Sequence, residues 1–226
     1  MYILSVDELY LGYLLIKGIG HSSLADIMSR YEKETILGVL KELEQISKRE
    51  SLPSIGPIKG RIISDIIKKH EPDLILEIGT LHGYSAILMG ALLPKHGKLI
   101  TIEVNKNLSN IARKNIEKAG LASKIEVICG NALEIIPTIT YKFDLAFLDA
   151  TKTEYLRYLK ELEANNIIKK NAVVIADNVK LYENEMADYL KYVRNAGMYR
   201  SRTTETTLEF NKNVEDALEI SIRLEK

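Results

Sequence analysis

The sequence predicts an α/β fold in which a doubly wound, mostly parallel β-sheet is covered by helices on both faces. From Leu74 onward, short aliphatic segments alternate with segments of helical periodicity, which is typical of such sheets. Runs such as Ala172–Ala176 contain no polar residue, as in strands buried on both faces. Over Leu218–Leu224 apolar and polar residues alternate strictly, which predicts a half-covered strand. With Tyr199–Phe210 and a turn at Asn211–Asn213, it forms an antiparallel C-terminal hairpin.

Length and composition restrict the class of protein. The 226 residues are 46% hydrophobic, which suffices for one core, and we divide the chain into an N-terminal helical extension, 1–50, and a main domain, 51–226. Lys and Arg together number 31, as do Asp and Glu, so a surface that coats nucleic acid is disfavoured, although a local basic site is not. No run approaches the roughly 18 apolar residues of a membrane helix, and no secretory signal follows Met1. We therefore expect a cytoplasmic protein without a membrane partner.

The N-terminal extension is predicted to be helical. Val6–Lys17 is the first helix, Gly18–His21 interrupts it, and Tyr31–Lys48 continues with apolar residues near helical spacing. An appended amphipathic helix either covers one face of a sheet or pairs two subunits, and we expect a homodimer. The turn-rich connector Leu52–Gly60 then leads into a helix over Arg61–Lys69.

Strands and helices alternate through the main domain. Five strands are predicted at Leu74–Ile78, Leu99–Glu103, Lys124–Ile128, Phe143–Leu148 and Ala172–Ala176. Asn105 or Asn107 caps the helix Leu108–Ala119, which ends at Gly120. Cys129, the single cysteine, excludes an intrachain disulfide and is interpreted as a small buried apolar residue beside the third strand.

A loop with two glycines follows the first predicted strand. Gly79 and Gly83 come after Glu77, but the Gly-x-Gly-x-x-Gly fingerprint of dinucleotide sites is incomplete. Glycines let a ligand approach the backbone, and the following helix N-terminus favours oxygen atoms and negative charge. Glu103 ends the second strand, where a carboxylate can bind both hydroxyls of a ribose. Asn131–Ala132, after the third strand, can bracket an adenine, so we expect a nucleotide-like cofactor here.

Polar residues also end the fourth and fifth predicted strands. Asp149 follows one, and Asp177 and Asn178 follow the other. Two carboxylates and an amide carbonyl suit a hard octahedral cation such as Mg²⁺. Asp and Asn are also common turn residues after strands, so from the residues alone both interpretations stay open.

The cofactor loop carries a family resemblance. The pattern Glu-x-Gly-x-x-x-Gly-Tyr-Ser from Glu77 to Ser85, together with Glu103, resembles the S-adenosylmethionine site of class I methyltransferases, in the branch of metal-dependent catechol and caffeoyl-CoA O-methyltransferases. Phe147–Lys152 and Val174–Val179 resemble the two metal motifs of that branch. The resemblance covers residues 52–224 and implies a Rossmann-like sheet of seven strands with one reversed strand. It also implies S-adenosylmethionine and Mg²⁺, or another divalent cation, as cofactors.

The resemblance implies roles for individual residues. Lys152 is the general base that takes the proton of the acceptor hydroxyl, and Glu209 hydrogen-bonds a second hydroxyl. Glu103 binds the ribose, and Glu77 lies near the methionine part or the loop amides. The implied cofactor contacts are Ile55, Glu77, Gly79, Gly83, Ser85, Glu103, Asn131, Ala132 and Asp149. The implied metal ligands are Asp149, Asp177 and Asn178.

Lys152 also has a physical argument of its own. Thr151 and Glu154 have the spacing of a capping box, which predicts Lys152 at the first position of a helix running to Glu163. A cation is unfavourable at that end of the helix dipole. Surface solvation and a place facing the metal are the two alternatives. For His82, in the cofactor loop, ligand contact and loop filling are equally open.

Departures from the family bear on the acceptor. Mammalian catechol enzymes have bulky aromatic residues after the first metal Asp and a Pro after the Asp-Asn pair. This chain has Ala150–Thr151 and Val179–Leu181 at those places, which predicts a wider or more polar acceptor pocket than a simple catechol needs.

Three other functions compete with methylation of a small vicinal diol. The first is O-methylation of a hydroxylated wobble uridine in tRNA, for which a local basic patch is needed. The candidate patch residues are Lys191, Arg194, Arg200 and Arg202. The second is a non-catalytic S-adenosylmethionine-binding protein, and the third is a nicotinamide dehydrogenase, which the incomplete glycine pattern disfavours.

Overall fold

The structure is a computed structural model that describes residues 30–209 and 211–224. Its helices are α1 (Arg30–Glu50), α2 (Gly56–His70), α3 (Tyr84–Leu92), α4 (Lys106–Lys118), α5 (Ala132–Ile135), α6 (Tyr155–Ala164) and α7 (Ala187–Asn195). Its strands are β1 (Leu74–Ile78), β2 (Lys98–Glu103), β3 (Ile125–Cys129), β4 (Phe143–Leu148), β5 (Ile168–Ala176), β6 (Tyr199–Leu208) and β7 (Asn211–Arg223). Short 3₁₀ turns cover Ile136–Thr138 and Lys152–Glu154.

The seven strands form one sheet in the order β3-β2-β1-β4-β5-β7-β6. Strands β1 to β5 pair in parallel, whereas β7 runs antiparallel to both β5 and β6. The predicted fold, with a single reversed strand, is therefore confirmed. After β1 the chain builds the sheet outward through β2 and β3, and then returns to place β4 on the other side of β1. This reversal opens a crevice at the carboxyl ends of β1 and β4, which is where ligands bind in open α/β sheets.

Two apolar cores lie on opposite faces of the sheet. Neighbouring residues of one strand point to opposite faces, so Ile75 belongs to one core and Leu76 to the other. Both are fully buried, which is why the central strands read as uninterrupted aliphatic runs. Helix α1 adds Ile36, Leu40 and Leu43 to the core that also contains α2 and α3. The amphipathic segment thus covers one face of the sheet, and the domain division at residue 50 stays a prediction.

Local signals set several helix ends. Asn105 is the residue that caps α4, because its side-chain oxygen accepts hydrogen bonds from the amides of Asn107 and Leu108 at 2.9 and 3.2 Å. Gly120 follows the helix with a φ of +73°, a conformation that glycine adopts without strain. Helix α2 begins at Gly56, earlier than the predicted start at Arg61, with Pro57 in its first turn.

Two predictions about the strands are wrong. Asn211–Asn213 is not a turn but part of β7. Thr207 pairs with Glu215 and Leu208 with Asn211, so the residues between Asn211 and Glu215 form an irregularity in the pairing of β6 with β7. Cys129 is exposed, not buried, because β3 is an edge strand of the sheet. The predicted helix Val6–Lys17 and the break after it lie outside the described residues. In the described part of the chain, no helix is long and apolar enough to span a membrane.

Candidate active site

A cleft of about 820 Å³ opens at the carboxyl ends of the central strands. The connector before α2, the loop after β1 and the end of β6 border it. The predicted site residues that line it are Ile55, Gly79, Ser85, Glu103, Asn131, Ala132, Asp149, Lys152, Asp177, Asn178 and Glu209. Glu77 is wholly buried at the end of β1, and Gly83 precedes the first residue of α3. Residues that are far apart in sequence are therefore gathered at one place.

The loop after β1 passes very close to the end of β4. A Cβ atom at Gly79 would overlap the carbonyl oxygen of Asp149 and lie 2.7 Å from its carbonyl carbon. Gly79 also has a φ of +97°, and Gly83 has one of +93°, values that favour glycine. Leu81, between them, has a φ of +52°. A left-handed leucine costs about 1–3 kcal/mol and persists where the surroundings fix it.

Glu103 fixes this loop. One carboxylate oxygen accepts hydrogen bonds from the amides of Thr80 and Leu81 at 3.2 and 2.9 Å, and the other accepts from the amide of Asn105 at 2.9 Å. The loop amides are therefore bonded to Glu103 and not to Glu77. A carboxylate offers about four lone-pair positions, so Glu103 keeps capacity for the hydroxyls of a ligand.

Glu77 is a fully buried carboxylic acid. Its side chain is 0% exposed, and neither carboxyl oxygen has a hydrogen bond of good geometry among the described residues, although the Ser85 and Thr101 side chains lie near enough to favour the ionised form. Burial raises the pKa of Glu77 to about 8. Since buried polar groups are almost always satisfied, a ligand that brings a cationic or N–H donor would complete this site.

His82 joins the loop to helix α1. Its Nε2 atom lies 2.7 Å from the hydroxyl oxygen of Ser47, and its carbonyl oxygen accepts a hydrogen bond from the side chain of Asn115 at 2.8 Å. Burial lowers the pKa of His82 to about 4, so the ring is neutral near pH 7. These contacts support the loop-filling interpretation, although the residue also borders the cleft.

The three predicted oxygen ligands lie side by side. Leu148 of β4 pairs in parallel with Ala176 of β5, so the next residues, Asp149 and Asp177, leave the sheet together. Burial and the charge of Asp149 raise the pKa of Asp177 to about 6, as expected when two carboxylates share a site. Asn178 has a φ of +62°, and its side-chain nitrogen donates to Asp216 at 2.7 Å.

This donor set fits a hard divalent cation. No cluster of three His, Cys, Asp or Glu side chains with metal-ligand geometry occurs in residues 30–209 and 211–224. Protein ligation here would therefore come from the carboxylates of Asp149 and Asp177 and the amide carbonyl of Asn178. Mg²⁺ is commonly held by one or two carboxylates, with water and substrate in the other positions.

A buried lysine lies behind these ligands. The Lys59 ammonium group donates to Asp177 at 2.5 Å and to Asp216 at 2.6 Å. Burial alone would lower the pKa of Lys59, but the two carboxylates raise it. Neither Lys59 nor Asp216 was predicted from the sequence. A signal was present for Lys59, because it precedes Ile63 by one helical turn on the apolar face of α2.

Lys152 faces the cleft, but the helix that follows it begins differently from the prediction. Its ammonium group donates to Asp149 at 2.8 Å and to the hydroxyl of Tyr155 at 2.9 Å. The capping box is absent: Thr151 makes no side-chain cap, and Lys152 begins a 3₁₀ turn that precedes α6. The Glu154 carboxylate is used elsewhere: Oε2 accepts a hydrogen bond from Tyr158 at 2.8 Å and Oε1 accepts one from Arg157 at 3.0 Å.

Glu209 closes the cleft from the side of the hairpin. Its carboxylate accepts a long hydrogen bond, 3.4 Å, from the amide of Ile58, and burial raises its pKa. A Cβ atom at Gly56 would overlap the Glu209 side chain, so glycine at position 56 permits this contact. Glu209, the residue after β6, thus contacts the start of α2 and borders the cleft that contains the predicted ligands.

The O-methyltransferase family matches residues 28–224, nearly all of the described chain. The chain belongs to this O-methyltransferase family. It is 36% identical to catechol O-methyltransferase B of Danio rerio over 181 residues, which is 78% of this chain and 67% of that protein. It is 33% identical to catechol O-methyltransferase of Mus musculus over 181 residues, with the same two coverages of 78% and 67%. The predicted family is confirmed, and the chain is an O-methyltransferase.

Solved O-methyltransferase structures share the fold. The Bacillus cereus O-methyltransferase in complex with SAH has 25% identity and a TM-score of 0.73, and the match covers 82% of this chain and 90% of that chain. TomG of Streptomyces achromogenes, involved in tomaymycin synthesis and solved in complex with SAM, has 24% identity and a TM-score of 0.75. That match covers 98% of this chain and 96% of TomG.

The basic patch expected of a tRNA O-methyltransferase is not at the cleft. The four candidate residues, Lys191, Arg194, Arg200 and Arg202, are absent from the cleft lining. Arg194 is already paired with Glu219 through two hydrogen bonds of 2.8 and 2.9 Å. The cleft lining does not test a patch beside the mouth, so the tRNA alternative stays a prediction.

Proposed function

We propose that the protein is an S-adenosylmethionine-dependent and divalent-metal-dependent O-methyltransferase that acts on a small molecule with vicinal hydroxyls. One observation carries the proposal: two carboxylates and an amide at neighbouring strand ends share a cleft with Lys152, whose ammonium group contacts Asp149 at 2.8 Å. The Lys152 nitrogen, which can exchange a proton, is thus in direct contact with one of the oxygen ligands proposed for the cation.

The loop after β1 supports S-adenosylmethionine as the methyl donor. The buried carboxyl group of Glu77, which has no hydrogen bond of good geometry among the described residues, suits a cationic or N–H group of the ligand, and Glu103 suits ribose hydroxyls. Gly79 lets the loop lie directly against Asp149, so a ligand on the loop also reaches the strand end. Complexes of the B. cereus relative with SAH and of TomG with SAM agree with this choice.

The strand ends support a divalent cation, Mg²⁺ or a similar ion. Asp149 and Asp177 repel each other at close range, and a bound cation would relieve that repulsion. Because the Asn178 side-chain nitrogen is used by Asp216, its carbonyl oxygen is the atom available for ligation.

The mechanism then assigns a task to each residue. S-adenosylmethionine supplies an activated methyl group and the cation supplies Lewis acidity toward the acceptor oxygen. Asp149 and Tyr155 orient the Lys152 nitrogen. In its neutral amine form, after losing a proton to solvent, this nitrogen would accept the proton of the hydroxyl to be methylated. Glu209, held by the amide of Ile58, accepts a hydrogen bond from the second hydroxyl. Positioning accounts for most of the acceleration because the donor is already activated.

The acceptor region favours a molecule other than a plain catechol. Thr151 and Tyr182 line the cleft near the metal ligands, and Leu181 and Tyr182 are each 38% exposed. This edge offers a hydroxyl and an open apolar surface. We propose that the acceptor carries its two hydroxyls on a ring and has a further substituent outside that ring.

Methyl transfer from labelled S-adenosylmethionine tests the function. The panel consists of catechols, hydroxycinnamoyl thioesters and hypomodified tRNA, each with and without chelator. We expect labelled product from a small diol, loss of product with chelator, and recovery on adding Mg²⁺. Product formation that chelator leaves unchanged would contradict the metal role, and labelling of tRNA alone would contradict the acceptor class.

A homodimer and a cytoplasmic location stay predictions. Light scattering on the purified chain tests the first, with a dimer expected. Fractionation of the source cells tests the second.

A further inference from the structure

We propose that Lys59 and Asp216 form a clamp, the buried pair that positions Asp177 and Asn178 for metal binding. The proposal rests on the metal site of the proposed function and adds two residues that do not themselves ligate. The clamp joins helix α2, which carries Lys59, to the end of β5 and to strand β7, which carries Asp216.

The clamp is buried. Lys59 is 1% exposed and Asp216 is 0% exposed. Replacing such buried pairs with apolar residues is often neutral or stabilising, since desolvation offsets their attraction. Stability is therefore a weak reason for a lysine here. Its hydrogen bonds to Asp177 and Asp216 indicate that it positions these two side chains.

The two carboxylate oxygens of Asp177 have different surroundings. One oxygen, Oδ1, accepts both from Lys59 at 2.5 Å and from the amide of Asn178 at 2.7 Å. These donors fix the carboxylate plane and use one oxygen. The other oxygen, Oδ2, is left to ligate.

The clamp also orients the side chain of Asn178. Asp216 accepts from the Asn178 side-chain nitrogen at 2.7 Å, from Lys59 at 2.6 Å and from the amide of Leu181 at 3.3 Å. The planar amide of Asn178 then directs its carbonyl oxygen away from Asp216. The left-handed backbone of Asn178, at φ +62°, is held by the same contacts.

The charges of the clamp cancel, because it contains one ammonium and one carboxylate. It therefore adds little net charge beside the two ligating carboxylates, and its effect on cation affinity should come from geometry. Removing both charges together should then weaken cation binding. If Lys59 acted only through its charge, its removal would tighten cation binding, because a nearby positive charge would be lost.

The test replaces both members at once. The Lys59→Met/Asp216→Asn variant keeps side-chain length and the net charge of the cluster, while the buried Asp177 loses its lysine donor. Lys169→Met/Asp144→Asn is the control for removing a Lys–Asp pair away from the cleft: this partly exposed pair, at 2.7 Å, lies at the opposite end of β4 and β5. Mn²⁺ binding to each full-length protein is measured by electron paramagnetic resonance, S-adenosylmethionine binding by calorimetry, and folding by circular dichroism.

We expect the Mn²⁺ dissociation constant of the clamp variant to rise about 10- to 100-fold, with S-adenosylmethionine affinity within about threefold and the control unchanged. A folded clamp variant that binds Mn²⁺ as tightly as the unaltered protein, or more tightly, overturns the proposal. If the double variant does not fold, Asp216→Asn alone, which keeps the Lys59–Asp177 bond, must still weaken Mn²⁺ binding, and unchanged affinity overturns the proposal. Absence of Mn²⁺ binding to the unaltered protein would instead refute the metal site itself.

Discussion

Substitution of Gly79 by alanine tests whether the loop after β1 must touch the end of β4. Real Cβ contacts essentially never fall below 3.0 Å, so clearing the Asp149 carbonyl oxygen requires the loop and the strand end to part by about 1 Å, a displacement that costs about 100-fold in rate. Backbone strain at a φ of +97° adds about 1–2 kcal/mol. At roughly 2–4 °C for each kcal/mol, the melting temperature should fall by several degrees.

Gly120→Ala is the control for this substitution. Gly120 also has a positive φ, +73°, but a Cβ atom there meets nothing within 4 Å. Both variants carry backbone strain, and only Gly79→Ala adds the overlap. We expect Gly79→Ala to lose about 100-fold in kcat/KM and to bind S-adenosylmethionine more weakly, as measured by labelled transfer and calorimetry, while Gly120→Ala loses only stability. Equal behaviour of the two variants would refute the reasoning.

The remaining predictions concern protons. Lys152→Met should lower kcat about 10²- to 10⁴-fold and leave S-adenosylmethionine binding intact, with Lys114→Met, exposed on α4, as the control; retained activity would rule out a catalytic proton transfer. The pKa of Glu77 is raised from 4.5 to about 8 in the fold, so its proton-linked contribution to stability is fully present below pH 4.5 and is lost as the pH rises through 8. Glu77→Gln should therefore flatten the alkaline loss of stability of the ligand-free protein and weaken cofactor binding, and an unchanged urea midpoint profile would contradict this. The pKa of His82 is lowered from 6.5 to about 4, so its contribution is present above pH 6.5 and is lost as the pH falls. Ser47→Ala should cost about 0.5–1.5 kcal/mol of unfolding free energy at pH 7 by removing its hydrogen bond, and no loss would contradict the contact.

The sequence predicted those features that depend on local pattern or on strand order. Uninterrupted aliphatic runs marked the buried strands, and a parallel arrangement was enough to bring Asp149 and Asp177 to one edge. The family motif pointed to the cofactor loop because its spacing lies within one stretch of chain.

Features that depend on distant partners could not be predicted. Lys59 and Asp216 are 157 positions apart, and nothing in either neighbourhood indicates the other. The exposure of Cys129 depends on β3 being an edge strand, which its own apolar neighbours do not reveal. At Thr151 a plausible capping pattern is absent, and the Glu154 carboxylate accepts a hydrogen bond from Tyr158 instead. Sequence spacing cannot rank such competing hydrogen bonds.

The position of β7 bears on how the protein matures during translation. This strand follows β6 in the chain but lies between β5 and β6 in the sheet. A nascent chain that has emerged from the ribosome as far as the residues just after β5 already contains Lys59 and Asp177, yet it lacks Asp216. Cation binding should therefore arise late in biosynthesis, when the hairpin docks, and ribosome-stalled chains of increasing length would show at which residue it begins.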